Sequence, residues 1–195
     1  MGLLKGSATF TRYRVIGEMQ DGFRDFFDTQ IKLHSFKEIS TGLEEKSTGW
    51  TSSENVLDTD FQYAGYSLGD YVLFCLRIDR KNIPPALLKL KVLEAEKKYA
   101  EENNLKKIYK EQRAEIRETV RRELLAHTAP VPSFYEVCWA LSESWLILGT
   151  LSANVFEDFE ELFKRSFNLI PVHFVPWDPA FADSETASAL AMLKK

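Results

Sequence analysis

The chain has 195 residues, 45% of them apolar and 13% aromatic, with 25 Lys+Arg against 29 Asp+Glu and a formal net charge of −4. That composition is globular, sufficient for one sizeable core or two small ones, and it excludes a disordered chain and a uniformly basic nucleic-acid coat while leaving room for a localised basic surface. No stretch approaches 18 uninterrupted apolar residues and the N-terminus lacks an apolar h-region, so neither membrane spanning nor secretion is expected. Lipidation at Gly2 is not expected either, because Gly6 stands where a Ser or Thr is needed. Cys75 and Cys138 lie inside apolar runs and read as buried reduced thiols of a cytoplasmic protein.

Residues 8–16 alternate apolar and polar side chains, which predicts a strand. Residues 18–33 place Met19, Phe23, Phe26, Phe27 and Ile31 at helical spacing. The polar stretch 40–55, with Gly42 and Gly49-Trp50, reads as loop with short extended pieces. Residues 61–64 and 71–78 read as strands turned at 67–70, which makes the first unit β-α-β-β. Further on, 133–141 and 145–151 read as an antiparallel pair around a turn at 142–144. A helix follows from Asn154, its expected N-cap with Glu157 in capping-box position, and 169–175 returns as a strand. The second unit is thus β-β-α-β, and residues 183–195 read as a frayed helical tail. The predicted fold class is α+β: two antiparallel sheet/helix units flanking a long charged helical arm, with both sheets able to merge into one layer. The boundaries expected are 1–82 for the first unit, 83–130 for the arm or hairpin, 131–180 for the second unit and 181–195 for the tail.

The arm is the most informative segment. Residues 77–127 hold 14 Lys+Arg and 9 Asp+Glu, net +5, so the other residues carry 11 and 20, net −9. Ile83-Pro84-Pro85 opens it, since proline suits the first turn of a helix. Lys106, Lys110, Arg113, Arg117 and Arg121 follow steps of 4, 3, 4 and 4, which sets them on one helical stripe. Glu111, Glu115 and Glu118 fall on another, and Leu105, Ile108, Ile116, Val120 and Leu124 on a third. A continuous cationic edge can track a line of phosphates, each neutralised phosphate releasing counterions. The plainer reading is a solvated helix laced by i,i+4 pairs such as Lys107 with Glu111 or Glu118 with Arg122. Tyr99, Tyr109, Phe134 and Tyr135 are candidates for stacking on bases or for packing the hairpin.

Constellations for catalysis are thin. His34, His127 and His173 are far apart and have no partners at metal-ligand spacing, so no metal site and no cofactor are expected. Asp58 and Asp60 offer the carboxylates a Mg²⁺-dependent nuclease needs, but Asp-Thr-Asp in a polar loop is the usual composition of a turn. Glu157, Asp158, Glu160 and Glu161 crowd a helix start, where acidic residues complement the macrodipole. No catalytic residue is assigned and the chain is not read as an enzyme.

In order along the chain stand Tyr13-Arg14, Thr48-Gly49-Trp50, Cys75-Leu76-Arg77, Ile83-Pro84, the charged helices ending at Leu124-Leu125, the Trp139 strand, and Leu162-Phe163-Lys164 followed by Pro171-Val172. With these elements residues 3–176 resemble the bacterial recombination-associated RdgC family. The resemblance implies a homodimer that closes around duplex DNA with little sequence preference, lies with the nucleoid and restrains RecA by competing for DNA. Single-stranded DNA is a further candidate ligand, and some family members carry an exonuclease label. Two departures shape the expectation. The family's C-terminal region, which helps close the dimer ring, has no counterpart here, so ring closure is not expected. Where the family shows a proline, a basic residue and a probing aromatic after the paired leucines, this chain has Ala126-His127-Thr128-Ala129, so no aromatic finger is expected there. The leading reading is a non-catalytic, sequence-tolerant DNA-binding protein of recombination or nucleoid maintenance, with the stripe Lys106, Lys110, Arg113, Arg117 and Arg121 on phosphates. The alternative is a protein-interaction module that kept the scaffold and lost encirclement.

Overall fold

The computed structural model describes residues 9–19, 22–39, 44–61, 65–175 and 184–193. Its elements are β1 (Thr11–Ile16), α1 (Phe23–Leu33), β2 (Lys46–Ser52), β3 (Ser67–Leu68), β4 (Tyr71–Arg80), α2 (Pro85–Glu102), α3 (Lys110–His127), β5 (Val131–Ala140), β6 (Trp145–Leu148), α4 (Ala153–Phe167), β7 (Ile170–His173) and α5 (Ser184–Leu193). All seven strands join one sheet in the order β2-β4-β5-β6-β1-β7, with β3 paired to β4. The α+β class holds, and the strands expected in two units share a single layer. By contact density the chain forms two compact units. One comprises Met1–Phe36, Thr48–Arg77 and Phe134–Lys195, the other Lys37–Ser47 and Ile78–Ser133.

In the first unit the alternation of β1 is realised: Thr11, Tyr13 and Val15 are buried while Arg12, Arg14 and Ile16 are exposed. The helix expected from residue 18 begins only at Phe23. Gly17 (φ 133) and Gly22 (φ 77) both hold backbone angles that a right-handed helix cannot contain, and Gly22 serves as the N-cap. Met19 therefore lies outside the helix despite its spacing. The α4 helix also starts differently from expectation: Ser152 is its N-cap, and Asn154 already sits in the first turn. Of the strand expected at 61–64, Phe61 is buried with φ 50 and is not in a strand, and the other three positions lie outside the described residues. Ser67 and Leu68, expected as part of a turn, form β3, so the turn itself contracts to Gly69-Asp70.

A further correction concerns residues 46–52, expected as loop with short extended pieces and found as the continuous seven-residue strand β2. Its polar, glycine-bearing sequence has little strand signature of its own, and tertiary bonds supply the missing preference. The Phe36 N–H donates to the Trp50 carbonyl at 2.8 Å, and the Trp50 N–H donates to the His34 carbonyl at 3.1 Å. This crossing is so close that a Cβ on Gly49 would lie 2.3 Å from the Phe36 Cα, so only glycine fits.

Trp50 is thereby driven into an aromatic core against α1, α4 and β4. Phe27 and Phe167 stack at 4.9 Å with planes 7° apart. Trp50 meets Phe74 edge-on at 5.0 Å, and Trp139 meets Phe163 at 5.1 Å. Such ring pairs each contribute ~0.5–1.5 kcal/mol beyond their area burial. The Trp50 Nε1–H donates to Ser166 Oγ at 2.8 Å, and that hydroxyl donates in turn to the Leu162 carbonyl at 2.8 Å, whereas the buried Trp139 Nε1–H has no acceptor among the described residues. Cys75 and Cys138 are both free thiols. Cys75 is buried, and burial pushes its pKa up to about 11; Cys138 is half-buried and is also raised by burial.

Two predictions come from this core. Ser166→Ala leaves the buried Trp50 N–H without an acceptor and is expected to lower the unfolding free energy by about 1–3 kcal/mol, read by urea denaturation. The second concerns Glu160 of α4, whose carboxyl is raised by burial, with Glu157 adding to the shift and Tyr13 and His173 opposing it. The Tyr13 hydroxyl lies beside Glu160 but has no partner of good hydrogen-bond geometry. An acid whose folded pKa is raised costs stability above that pKa, and the cost disappears as pH falls toward the unfolded value. Glu160→Gln is therefore expected to raise the melting temperature at pH 7 and leave it unchanged at pH 3.

Candidate nucleic-acid interface

The second unit is dominated by α2 and α3. As expected from Ile83-Pro84-Pro85, Pro85 is the first residue of α2, where its missing N–H costs nothing, and Pro84 is the N-cap. The helix then stops at Asn103-Asn104. Asn104 adopts φ 50, the Leu105 N–H reaches back to the Ala100 carbonyl at 2.9 Å, and the Asn103 Nδ2–H donates to the Tyr99 carbonyl at 2.9 Å. The charged segment is thus two 18-residue helices joined by residues 103–109 rather than one long helix. Gln112 Oε1 accepts the Tyr109 N–H at 3.0 Å and starts α3. Half-buried Leu88, Val92, Ala95 and Tyr99 form the inner stripe of α2, and Ile116 and Val120 that of α3.

The five residues of the expected cationic stripe divide into three groups. Lys106 lies in the connection ahead of α3 and is not on the helical stripe, because the helix begins four residues later. Lys110, Arg113, Arg117 and Arg121 do share a face of α3, running about 16 Å along the axis. Two of these four are held by the protein itself. Arg113 Nε donates to Glu96 Oε1 of α2 at 2.9 Å, and the Glu96 side chain is only 14% exposed. Arg121 Nη2 donates to both oxygens of Glu45 at 2.6 and 2.7 Å. The Lys81 backbone N–H donates to the Glu45 carbonyl at 2.8 Å and its ammonium to the Leu125 carbonyl at 2.9 Å, placing a cation on the C-terminal end of α3.

Among the described residues, Lys106, Lys107, Lys110 and Arg117 are exposed and make no ion pair. The Lys107–Glu111 pair of the plainer reading does not form, since Lys107 precedes the helix; Glu118–Arg122 does, at 3.1 Å. Lys91, Lys97 and Lys98 are neutralised by Glu94, Glu101 and Glu102 on α2 itself. Lys89 on α2 is likewise exposed and without an ion pair among the described residues, so the unpaired cations of the hairpin are Lys89 and the set at its turn and the first half of α3. Tyr109 stands there too, 67% exposed, flanked by Lys107 and Lys110. Of the four candidate aromatics it is the one at the turn; Tyr99 is half-buried against α3. The acidic residues occupy another side: Glu102, Glu115 and Glu123, with Lys98, edge a groove of about 490 Å³ floored by Tyr99, Ile116 and Val120.

Elsewhere, the Asp58 carboxylate accepts the N–H groups of Asp60 and Phe61 at 2.9 and 3.0 Å, the geometry of a self-capped turn. His127 hydrogen-bonds the Glu123 carbonyl through Nδ1 at 2.8 Å within the last turn of α3. No helix among the described residues is long and apolar enough to cross a membrane. The sequence profile of the family described as "Putative exonuclease, RdgC" matches residues 10–186, most of the chain. No curated protein matches it.

The Arg113–Glu96 pair gives a test of the hairpin. It is half-solvated, so Glu96→Gln is expected to cost about 0.5–1 kcal/mol in chemical denaturation. Faster amide exchange in the first turns of α3 should accompany that loss.

Proposed function

The chain belongs to the RdgC family, and from that premise we propose that it is a non-catalytic, sequence-tolerant DNA-binding protein. The observation that supports this reading most is the set of Lys106, Lys107 and Lys110 beside exposed Tyr109, with Arg117 about two turns further along α3, none of them ion-paired among the described residues. Ammonium and guanidinium groups at such spacing meet backbone phosphates without reading bases, so affinity is salt-sensitive and sequence preference low. Tyr109 adds an aromatic face at the turn, in a different place from the one the family resemblance suggests. Arg113 and Arg121 contribute to the field of the stripe, but their direct bonds go to Glu96 and Glu45.

The proposed role is in DNA recombination or nucleoid maintenance, with RecA as the functional antagonist on shared DNA and a second copy of this chain as partner. Leu87, Leu90 and Leu93, exposed on α2, are the surface best suited to pairing two copies. No nuclease role is proposed: phosphodiester hydrolysis by paired metals needs converging carboxylates, and that of Asp58 is engaged by its own loop. The second reading, a protein-interaction module, draws on those same leucines and on the acid-edged groove.

Binding of a labelled duplex across a salt series distinguishes the two. The DNA reading expects log affinity to fall linearly with log salt. Lys107→Glu with Arg117→Glu is expected to reduce the slope by about two phosphates' worth, near 1.8, with unchanged circular dichroism. An unaltered slope rejects the assignment of these residues, and absence of duplex binding at low salt favours the interaction module.

A further inference from the structure

The face of the sheet turned away from α1 and α4 carries a second, independent arrangement within the first unit. Arg12, Arg14 and Ile16 point to it, because their neighbours Thr11, Tyr13 and Val15 fill the core. Antiparallel register sets Trp145 opposite Arg14 and Ile147 opposite Arg12, and on the next strand Cys138 pairs with Ile147. Both guanidiniums lie over the indole of Trp145, Arg14 at 5.1 Å and Arg12 at 5.6 Å from its centroid. Phe174 meets Trp145 edge-on at 4.9 Å and lies 5.8 Å from Arg12. Neither arginine's side chain makes a hydrogen bond or ion pair among the described residues. Two planar cations are therefore oriented by an aromatic ring with their N–H donors unengaged. Beside them is a depression of about 290 Å³ walled by Tyr71, Cys138, Ala140, Trp145 and Ile147, with Arg12 and Glu143 at its edge.

We propose that this face binds single-stranded nucleic acid, Arg12 and Arg14 taking neighbouring phosphates and the depression taking one unstacked base. Guanidinium forks match phosphate oxygens in two-point contacts, and their stacking on Trp145 limits the freedom lost when they bind. That pair alone suits any polyanion; the adjoining pocket narrows the choice. A duplex keeps its bases stacked inside and has nothing to place between Tyr71 and Trp145, whereas a single strand offers flat apolar rings at little cost. Glu143 repels a phosphate at its side of the pocket, which directs the backbone along the arginines and the base toward the aromatic wall. The face is separate from the cationic turn of the hairpin, so this inference stands or falls apart from the duplex reading above.

The test compares a labelled, non-self-complementary single strand with a duplex by fluorescence anisotropy. Arg12→Ala with Arg14→Ala changes two exposed side chains and is expected to weaken single-strand binding about tenfold or more while duplex affinity changes less than twofold. Trp145→Ala, checked by circular dichroism, is expected to produce a loss of about tenfold for the single strand. Should it unfold the chain, Tyr71→Ala at the pocket wall replaces it. Lys107→Glu with Arg117→Glu is expected to show the opposite pattern. Unchanged single-strand affinity in the double arginine variant overturns the proposal, as does equal loss for both DNA forms. Displacement of the strand by a polyglutamate peptide at comparable concentration also overturns it, because the face would then be a general acceptor of acidic protein segments.

Discussion

The hydrogen bond from Trp50 to Ser166 is the constraint around which the first unit is organised. It joins a polar, glycine-containing strand to a helix 116 residues later and supplies an acceptor to an indole enclosed by Phe74, Phe159 and Phe167. An unpaired indole N–H in such surroundings is costly, so the position of β2 and the rotation of α4 are fixed together. Gly49 is part of the same constraint: with any side chain there, the 34–36 segment could not approach β2 closely enough to bring Trp50 inside.

The second unit works by a different force. Few of its residues are buried, and α2 has none. Its two helices are held by a narrow apolar stripe, by Arg113 on Glu96, and by Glu45 holding Arg121. These carboxylates act as internal counterions. By pairing with Arg113 and Arg121, they leave Lys106 and Lys110 beside Tyr109 at the turn, and Arg117 on α3, as the unpaired cations of the stripe. A surface meant for phosphates gains from such localisation, since counterion release depends on the charges that reach the polyanion rather than on net composition. The protein can then carry an overall charge of −4 and still present a cationic contact.

The open face of the sheet shows a second use of arginine. Arg113 and Arg121 are consumed in ion pairs, whereas Arg12 and Arg14 rest on an aromatic ring that orients them without neutralising them. The same residue type thus stabilises a hairpin in one unit and stays available to an anion in the other. What separates the two roles is the neighbour: a carboxylate quenches the charge, an indole preserves it.

Local periodicity made much of this legible from the sequence alone. The alternation of β1, the aromatic spacing of α4, the proline opening of α2 and the 3-4-4 spacing of Lys110, Arg113, Arg117 and Arg121 all report geometry repeated every two or 3.6 residues, and the ordered motifs pointed to the RdgC family. Even the glycines that delay α1 were visible, although the helical spacing of Met19 concealed their effect. Tertiary structure alone decided the rest. Residues 46–52 became a strand because β4 pairs with them in the sheet and His34 and Phe36 bond to Trp50, and Asn104 divided the charged segment into a hairpin that left Lys106 off the helix. Which cations stay exposed depended on Glu45, 76 residues from Arg121, and on Glu96 across the hairpin. Pairings at that distance leave no periodic trace, because they are set by where the chain returns in space and not by how it repeats along its length.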